Sequence, residues 1–349
     1  MMPGDRHQST FCRTKQGWVI GLTLLPFFAL SQVFTDPAAP EGSQAPDAGA
    51  AVSAPVSFDG LTFHAAPKSL SADAVTADWP RFLGPTDNGK TPETHLLDRF
   101  PEGGLKKVWE MKKGNSYTSP VIAGGRLVTF NRFDDNEVVQ CLEPETGKQF
   151  WDFRYPVVYS DRYGFNNGPR ASAVIDSGKV YTLGVTSVLT CLDLASGTKV
   201  WQRNLSTEFK QSPYFFGHGC CPIVRGGKVI VPLGTEDQLS VAAFDQINGK
   251  LVWGTKHVWA ASYASPVVAT LQGKERLLVF AGADSDPPDG GLLCIDLETG
   301  ALHDAFPWRP DKYESVNGST PVAVGDDSVF FSCSYGKGSV LLHLTRELK

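Results

Sequence analysis

A short unit of strand, turn and strand recurs along this chain and constrains its fold more than any other feature. Its clearest copy is Leu189–Trp201, in which residues alternate with a strand period up to Asp193. A short loop follows, and Gly197 ends it because glycine readily adopts the positive φ that such a turn requires. The unit therefore predicts a β-hairpin whose second strand carries Trp201.

The same hairpin returns at a spacing of about fifty residues, which is typical of radially repeated or stacked β-structure. The turn glycines are Gly147, Gly197, Gly249 and Gly300. Trp151, Trp201 and Trp253 follow the first three glycines, and in the fourth copy we expect Ala305 or Phe306 to stand in place of tryptophan. Strands with a steady period and no helical segments predict an all-β fold.

The repeated pattern Asp-x-x-x-Gly-x-x-x-Trp, preceded by Cys-Leu, resembles the pyrroloquinoline-quinone-like (PQQ-like) β-propeller repeat. That family includes quinoprotein alcohol dehydrogenases and the BamB outer-membrane assembly lipoprotein. With Asp78–Phe82 before the first repeat, the chain is most similar to secreted PQQ-like repeat proteins of planctomycete-type bacteria. The resemblance covers residues 78–349 and implies a β-propeller of four-stranded antiparallel blades. It implies little about function, because the same repeat builds both enzymes and scaffolds.

The repeats predict four full blades, three strands of a fifth blade that starts at Ser319, and one orphan strand at Lys106–Met111. The sequence leaves two arrangements of these blades open. The orphan strand could complete the fifth blade and close a five-bladed ring, or the chain could form an incomplete arc. Members of the family that it resembles usually have about seven or eight blades. We therefore expect an arc, an incomplete ring that lacks its C-terminal blades.

Residues 1–35 have the features of an export signal. Arg6, Arg13 and Lys15 precede an uncharged and mostly apolar run at Gly17–Phe34. A retained membrane anchor is the alternative, because the run is nearly long enough to span a bilayer. No cysteine follows the run directly, so we do not expect a lipid anchor. The segment predicts export to the periplasm or cell envelope, with the protein either secreted or held by this N-terminal segment.

The remaining composition separates a linker from the folded part. Residues 36–77 are rich in Ala and Pro and are expected to form a disordered linker, with a stray strand near 58–63; residues 78–349 form the propeller. The net charge of −5 argues against a nucleic-acid partner, which normally leaves a basic footprint. The seven cysteines include neither a Cys-x-x-Cys pair nor a Cys/His pattern at zinc spacing.

Candidate ligand-binding residues lie in four stretches that each immediately precede an inner strand of a blade, and such loops converge on one face of a propeller. Aromatic side chains mixed with polar ones suit a flat polar ligand or a peptide. The alternative is that they are packing and turn residues between blades. The predicted ligand- or partner-binding residues are Arg162, Tyr163, Asn166, Asn167, Arg170, Phe215, Phe216, His218, Tyr263, Tyr313, Glu314 and Asn317.

Two further features are candidates for special chemistry. The adjacent pair Cys220 and Cys221 could form a vicinal disulfide, which the resemblance implies would lie against a PQQ ring; the alternative is two small buried residues at the start of a strand. Asp284, Asp286 and Asp289 are a weak candidate for a metal site, and we favour a solvated loop because their spacing departs from a calcium-loop pattern.

The sequence favours a binding or scaffold module that holds an envelope protein or polymer through its loop face. The alternative is a quinoprotein dehydrogenase that uses PQQ and calcium to oxidise an alcohol or sugar. No catalytic set is recognisable, because the dehydrogenases' aspartate base, calcium-ligating Glu and Asn, and tryptophan platform have no identifiable counterparts. We assign no cofactor from the sequence, PQQ with calcium belonging to the alternative function, and we expect a membrane contact only through the N-terminal segment.

Overall fold

In the computed structural model, the residues described are 54–211, 214–282, 285–313 and 315–345. The predicted export signal and the first part of the predicted linker lie outside these ranges. The described residues form strands and a single short helix, α1 (Leu205–Glu208). None of their helices is long and apolar enough to traverse a lipid bilayer.

The first two strands form a small sheet of their own. Strand β1 (Leu61–Phe63) pairs antiparallel with β2 (Trp109–Met111), so the stray strand expected within residues 58–63 is present. Strand β2 is the predicted orphan strand. Within the described ranges its ladder partner is β1 and not a strand of the last sheet, so this pairing does not produce a closed five-bladed ring.

Five further antiparallel sheets follow within the described ranges, each built from strands consecutive in sequence, and we call them blades 1 to 5. Blade 1 contains β3 (Val121–Ala123), β4 (Arg126–Phe133), β5 (Asn136–Leu142) and β6 (Gln149–Pro156). Blade 2 contains β7 (Val174–Asp176), β8 (Lys179–Leu183), β9 (Val188–Asp193) and β10 (Lys199–Asn204). Blade 3 contains β11 (Ile223–Arg225), β12 (Lys228–Pro232), β13 (Leu239–Asp245) and β14 (Leu251–Lys256).

Blades 4 and 5 complete the series. Blade 4 contains β15 (Val267–Leu271), β16 (Lys274–Ala281), β17 (Gly291–Asp296) and β18 (Leu302–Pro307). Blade 5 contains β19 (Val322–Val324), β20 (Ser328–Cys333) and β21 (Gly338–His343). The first strands of neighbouring blades approach one another, as innermost strands do in a propeller: β3 approaches β7, β7 approaches β11, and β15 approaches β19. The architecture is a β-propeller, as the repeats predicted.

The spacing of Asp and Gly within a repeat follows from the hydrogen bonds of the turn between its last two strands. In blade 2, Asp193 Oδ1 accepts hydrogen bonds from the backbone N–H groups of Ala195 (3.1 Å) and Ser196 (3.0 Å). The Gly197 N–H donates to the Asp193 carbonyl oxygen at 2.8 Å, and Gly197 has a φ of +72°. The aspartate thus fixes the turn and the glycine supplies its left-handed residue.

Where a repeat carries the tryptophan, this residue contacts the turn of the next blade. The Trp151 indole donates from Nε1 to the Leu194 carbonyl oxygen at 2.9 Å, and its ring covers Gly197 so closely that a Cβ there would lie 2.5 Å from it. The same ring-on-glycine contact is made by Trp109 on Gly147, Trp201 on Gly249 and Trp253 on Gly300. The fifty-residue pattern therefore encodes the contact between neighbouring blades.

The fourth repeat corrects one expectation. In blade 4 the residue opposite Cys294 is Asp304, so the tryptophan position is taken by Asp304 and not by Ala305 or Phe306. In blades 1 and 2 the equivalent pairs are Trp151 with Cys141 and Trp201 with Cys191. The prediction was wrong because it followed the nearest apolar residues instead of the strand register.

Candidate functional site

The site lies where the connections that enter the first strand of successive blades converge. The connection from blade 1 to blade 2 is organised by Asp161, whose side chain is fully buried. Its Oδ1 accepts hydrogen bonds from the backbone N–H groups of Tyr163 (3.0 Å) and Phe165 (3.3 Å). Its own N–H donates to Asn167 Oδ1 at 2.7 Å, and its Oδ2 accepts from the Arg170 guanidinium at 2.6 Å. One carboxylate therefore fixes the course of the whole loop.

The Arg170 side chain is the cation at the centre of this loop and is 8% exposed. Its terminal nitrogens also donate to the carbonyl oxygens of Gly168 (2.8 Å) and Asn166 (2.9 Å). The guanidinium carbon lies 5.5 Å from the Tyr117 ring centroid and 5.4 Å from that of Tyr159, distances at which cation–π attraction operates. Both terminal nitrogens of Arg170 are thus engaged within the loop, between two aromatic rings.

A cluster of aromatic rings covers the loop. Tyr163 stacks on Phe215 with ring centroids 5.5 Å apart and on Phe165 at 6.0 Å. The Arg162 guanidinium lies over the Phe215 ring at 4.6 Å, and Tyr313 meets Phe215 edge-on at 6.4 Å. Side chains from three connections therefore meet here, and they include Tyr163, Phe215 and Tyr313 of the predicted set.

Beside this cluster lies an open pocket of about 350 Å³ whose wall is almost wholly apolar. The Phe216 and Tyr263 rings stand 5.6 Å apart in its wall, and the Tyr263 hydroxyl accepts a hydrogen bond from the Phe216 N–H at 2.7 Å. Its lining residues are Tyr117, Asp161, Phe165, Arg170, Phe216, Gly219 and Tyr263. Three of them, Arg170, Phe216 and Tyr263, belong to the predicted ligand-binding set.

His218 does not line this pocket. It is 1% exposed, its Nδ1 lies 3.2 Å from the Ser187 hydroxyl oxygen, and its ring meets Tyr214 edge-on at 5.0 Å. Burial lowers the pKa of His218 to about 3, so the imidazole is neutral near pH 7. Its role in the structure is to pack the connection before β11 against blade 2.

Asn317 also lies in the interior and not on the pocket wall, and it is fully buried. Its side-chain Nδ2 donates to the Ala281 carbonyl oxygen at 2.7 Å, and its own carbonyl oxygen accepts from the N–H groups of Tyr263 and Ala264. Asn317 therefore holds the pocket residue Tyr263 in place from behind. Glu314, predicted alongside it, lies outside the described residues.

Cys220 and Cys221 are free thiols in this structure, so the suggested vicinal disulfide is not formed in it. The Cys220 thiol donates to the Ser262 carbonyl oxygen at 2.7 Å, whereas the Cys221 sulfur accepts from the Ser172 N–H at 3.3 Å. Burial raises the pKa of both thiols. The two sulfurs thus contact different connections, the one that enters blade 4 and the one that enters blade 2.

The acidic loop offers no assembled metal site among the residues that the structure describes. Asp284 lies outside them, and they include no group of three or more His, Cys, Asp or Glu side chains placed to hold a metal ion. The Asp289 carbonyl oxygen accepts a hydrogen bond from Arg309 at 2.8 Å, and the Arg309 guanidinium also reaches Ser285. This loop is tied to the connection that follows blade 4.

Sequence reasoning missed Tyr117, Asp161, Phe165 and Gly219. Tyr117 stands just before the Ser119-Pro120-Val121 strand start, the same placement that identified the other stretches, so the rule applied to blade 1 would have found it. Asp161 carries the local cue of an Asp that accepts from N–H groups two and four residues later. Without coordinates, that cue does not show which loop aspartate is buried.

The blades, the tryptophan-on-glycine contacts and the loop-face pocket define a β-propeller of the PQQ-like repeat class. Residues 134–346 match the family model described as "Outer membrane protein assembly factor BamB", which is more than half of the chain, and the protein belongs to this family.

Curated relatives include the 1-butanol dehydrogenase (quinone) of Thauera butanivorans, 28% identical over 169 residues that make up 46% of this chain and 26% of that protein. The quinoprotein ethanol dehydrogenase of Pseudomonas putida matches with the same identity and the same coverage. The match thus spans about a quarter of the length of these relatives.

Among solved structures, BamB from Moraxella catarrhalis aligns at 15% identity with a TM-score of 0.45, covering 67% of this chain and 63% of that chain. Quinohemoprotein alcohol dehydrogenase from Comamonas testosteroni aligns at 18% identity with a TM-score of 0.45, covering 66% of this chain and 40% of that one.

The pocket's donor set does not fit a quinone cofactor such as PQQ, which is a polycarboxylate. Such a ligand requires several basic or N–H donors aimed at its carboxylates. Among the lining residues the cation is Arg170, and both its terminal nitrogens already donate to Asp161 and to loop carbonyl groups. The rest of the wall is almost wholly apolar.

Proposed function

We propose that this protein is an exported, envelope-associated binding or scaffold module that holds an envelope protein or polymer through the loop face. The observation that carries the proposal is the convergence of connections from several blades on one aromatic pocket. Propeller loops of this kind are positioned by a rigid scaffold, which is the usual arrangement for binding residues.

Exposed aromatic rings around the pocket support the proposal. The exposed fractions are 58% for Tyr117, 46% for Tyr163, 69% for Phe165 and 48% for Tyr313. Clustered exposed aromatic surface is characteristic of interaction sites, because burying it on a partner is favourable and costs little side-chain entropy. Membership of the BamB family and the basic, apolar N-terminal segment support an envelope location.

The test is capture of partners from an envelope extract by the full-length protein. We expect the double variant Arg162→Ala, Tyr163→Ala to lose partners that the wild type retains. Phe82→Ala, which alters an exposed aromatic residue that does not line the pocket, is the control and should retain them. Equal capture by wild type and double variant would contradict the proposal.

The second candidate is a PQQ-dependent alcohol or sugar dehydrogenase, which the names of the curated relatives favour. A titration with PQQ, with and without calcium, followed by tryptophan fluorescence on the folded protein, tests it. Saturable, calcium-dependent quenching together with dye-linked alcohol oxidation would support this candidate. An unchanged fluorescence signal would remove it.

A further inference from the structure

We infer that the loop-face pocket takes an aromatic side chain of an extended peptide, and that an acidic residue next to this side chain pairs with Arg162. The inference rests on the proposed binding function and specifies the chemistry of its partner. It follows from what already occupies the polar groups of the pocket, from the size of the pocket, and from the charge at its rim.

An added cation is disfavoured by the position of Arg170. Aromatic walls with a carboxylate beneath them normally attract an ammonium group. Here the guanidinium of Arg170 already lies between the rings of Tyr117 and Tyr159 and pairs with Asp161 at 2.6 Å. The protein's own cation therefore fills the electrostatic role that a ligand cation would play.

A sugar is disfavoured by the shortage of accessible hydrogen-bonding groups. The Asp161 carboxylate is fully buried and accepts hydrogen bonds from Tyr163, Phe165 and Arg170. The Tyr263 hydroxyl already accepts from Phe216, and the wall is almost wholly apolar. A sugar ring here would leave hydroxyl groups without partners, and that costs binding free energy.

An aromatic side chain carries neither a cation nor several hydroxyl groups, and it also fits the size of the pocket. The volume of about 350 Å³ lies near the lower end of the range of about 300–1,000 Å³ for ligand pockets, so it suits one ring and not a folded segment. Phe165, Phe216 and Tyr263 offer ring faces and edges for offset or edge-on contacts, which stabilise aromatic pairs beyond the area they bury.

The charge at the rim of the pocket indicates which charge the bound peptide should carry. The Arg162 guanidinium lies over Phe215 at 4.6 Å, and none of the ion pairs among the described residues involves it. An acidic residue beside the inserted ring would meet this guanidinium at the pocket edge. Arginine favours carboxylates because its planar donors match their geometry.

The experiment measures fluorescence anisotropy of short capped peptides on the full-length protein. The first peptide has phenylalanine flanked by aspartates, the second replaces phenylalanine by alanine, and the third replaces the aspartates by lysines. We expect the alanine peptide to bind at least about tenfold more weakly, because loss of an anchor ring removes most of the contact. The lysine peptide should bind several-fold more weakly at low salt, and this difference should shrink as salt rises.

Protein variants test the pocket and the rim separately. Phe216→Ala and Tyr117→Ala should each weaken the phenylalanine peptide about tenfold, whereas Phe82→Ala should not. Arg162→Glu should reverse the preference, so that the lysine peptide binds more tightly than the aspartate peptide. A structural role for Arg162 would not produce that reversal. Thermal melts identify any variant that fails to fold. If Phe216→Ala fails to fold, Tyr117→Ala still tests the pocket.

Three results would overturn the inference. The folded wild type could bind none of the phenylalanine peptides while still capturing envelope partners, which would leave the proposed function standing. The peptide could bind with unchanged affinity to Phe216→Ala and Tyr117→Ala, which would place it elsewhere. A neutral oligosaccharide could compete for the pocket more strongly than the peptide, which would assign a sugar site.

Discussion

The two ends of each blade differ in how far their residues repeat along the chain. We call the end at which the last two strands are joined the turn edge, and the end at which the chain enters the first strand the loop edge. At the turn edge, the Trp151 ring contacts Gly197, and the same tryptophan-on-glycine contact recurs at Gly147, Gly249 and Gly300. At the loop edge, no connection repeats another: one is organised by the buried Asp161, and the next contains the neutral, buried His218. Repetition at one edge fixes the distance between blades, and variation at the other supplies the chemistry of the pocket.

This difference separates residues that specify the fold from residues that specify a ligand. A turn contact that is repeated between blades tolerates little change, because every copy must place the next blade at the same distance. A connection that is used once is free to change its side chains provided that its own hydrogen bonds are satisfied. The following substitutions test this division, from the largest expected effect to the smallest.

Asp161→Ala should have the largest effect, and it acts at the loop edge. It leaves the buried Arg170 guanidinium without its carboxylate and frees the Tyr163 and Phe165 N–H groups. Removing one partner of a buried ion pair costs about 3–5 kcal/mol. We expect faster amide hydrogen exchange across residues 159–170 and a lower melting temperature, measured by mass spectrometry and calorimetry.

Asp152→Ala is the matched control for that change, because Asp152 pairs with Arg154 in a partly exposed position. Exposed pairs contribute about 0–1 kcal/mol. Equal losses of stability for Asp161→Ala and Asp152→Ala would mean that the loop does not depend on its buried carboxylate.

Gly197→Ala tests the turn edge, and Gly178→Ala is its control. Both glycines have a φ of +72°, but a Cβ at Gly197 would lie 2.5 Å from the Trp151 ring, whereas Gly178 has no atom within 4 Å of that position. The left-handed backbone alone costs about 1–2 kcal/mol. We expect Gly197→Ala to destabilise by about 3 kcal/mol or more in urea unfolding, since overpacking adds to this cost. Equal losses at the two sites would refute a packing role for Gly197.

His218 makes stability depend on pH. Its folded pKa of about 3 lies below the ordinary value of 6.5, so between these values the unfolded chain binds the additional proton. The free energy of unfolding should therefore fall as the pH drops from 6.5 towards 3. His218→Gln should flatten this dependence in urea titrations at several pH values. A His218→Gln slope equal to that of the wild type would contradict the prediction.

Arg162→Gln should have the smallest effect on stability and still reduce partner capture. The side chain is exposed and contacts only ring faces among the described residues. Exposed substitutions usually change stability by less than about 0.5 kcal/mol. A melting temperature equal to wild type with reduced capture is the expected pair of results. Unchanged capture would show that the rim cation takes no part in binding.

The sequence was sufficient for the fold because a repeated contact leaves a repeated pattern. The strand–turn–tryptophan unit predicted the blades, and the structure adds why glycine stands where it does. The amino-acid sequence was less informative about the candidate site. His218 and Asn317 have polar side chains in the expected stretches, yet both are buried, and burial depends on contacts with Ser187 and Ala281 that are distant in sequence. Asp161 was missed for the same reason.

The tryptophan contact also bears on how such a chain could lengthen or shorten during evolution. The donor, Trp151, belongs to one repeat and the acceptor, Leu194, to the next, so the bond crosses the repeat boundary. A tandem duplication of one repeat, wherever its breakpoints fall, would create a new boundary that already contains both donor and acceptor. Blade number can therefore change by recombination without a compensating mutation at the turn edge, while each duplicated connection at the other edge is free to diverge.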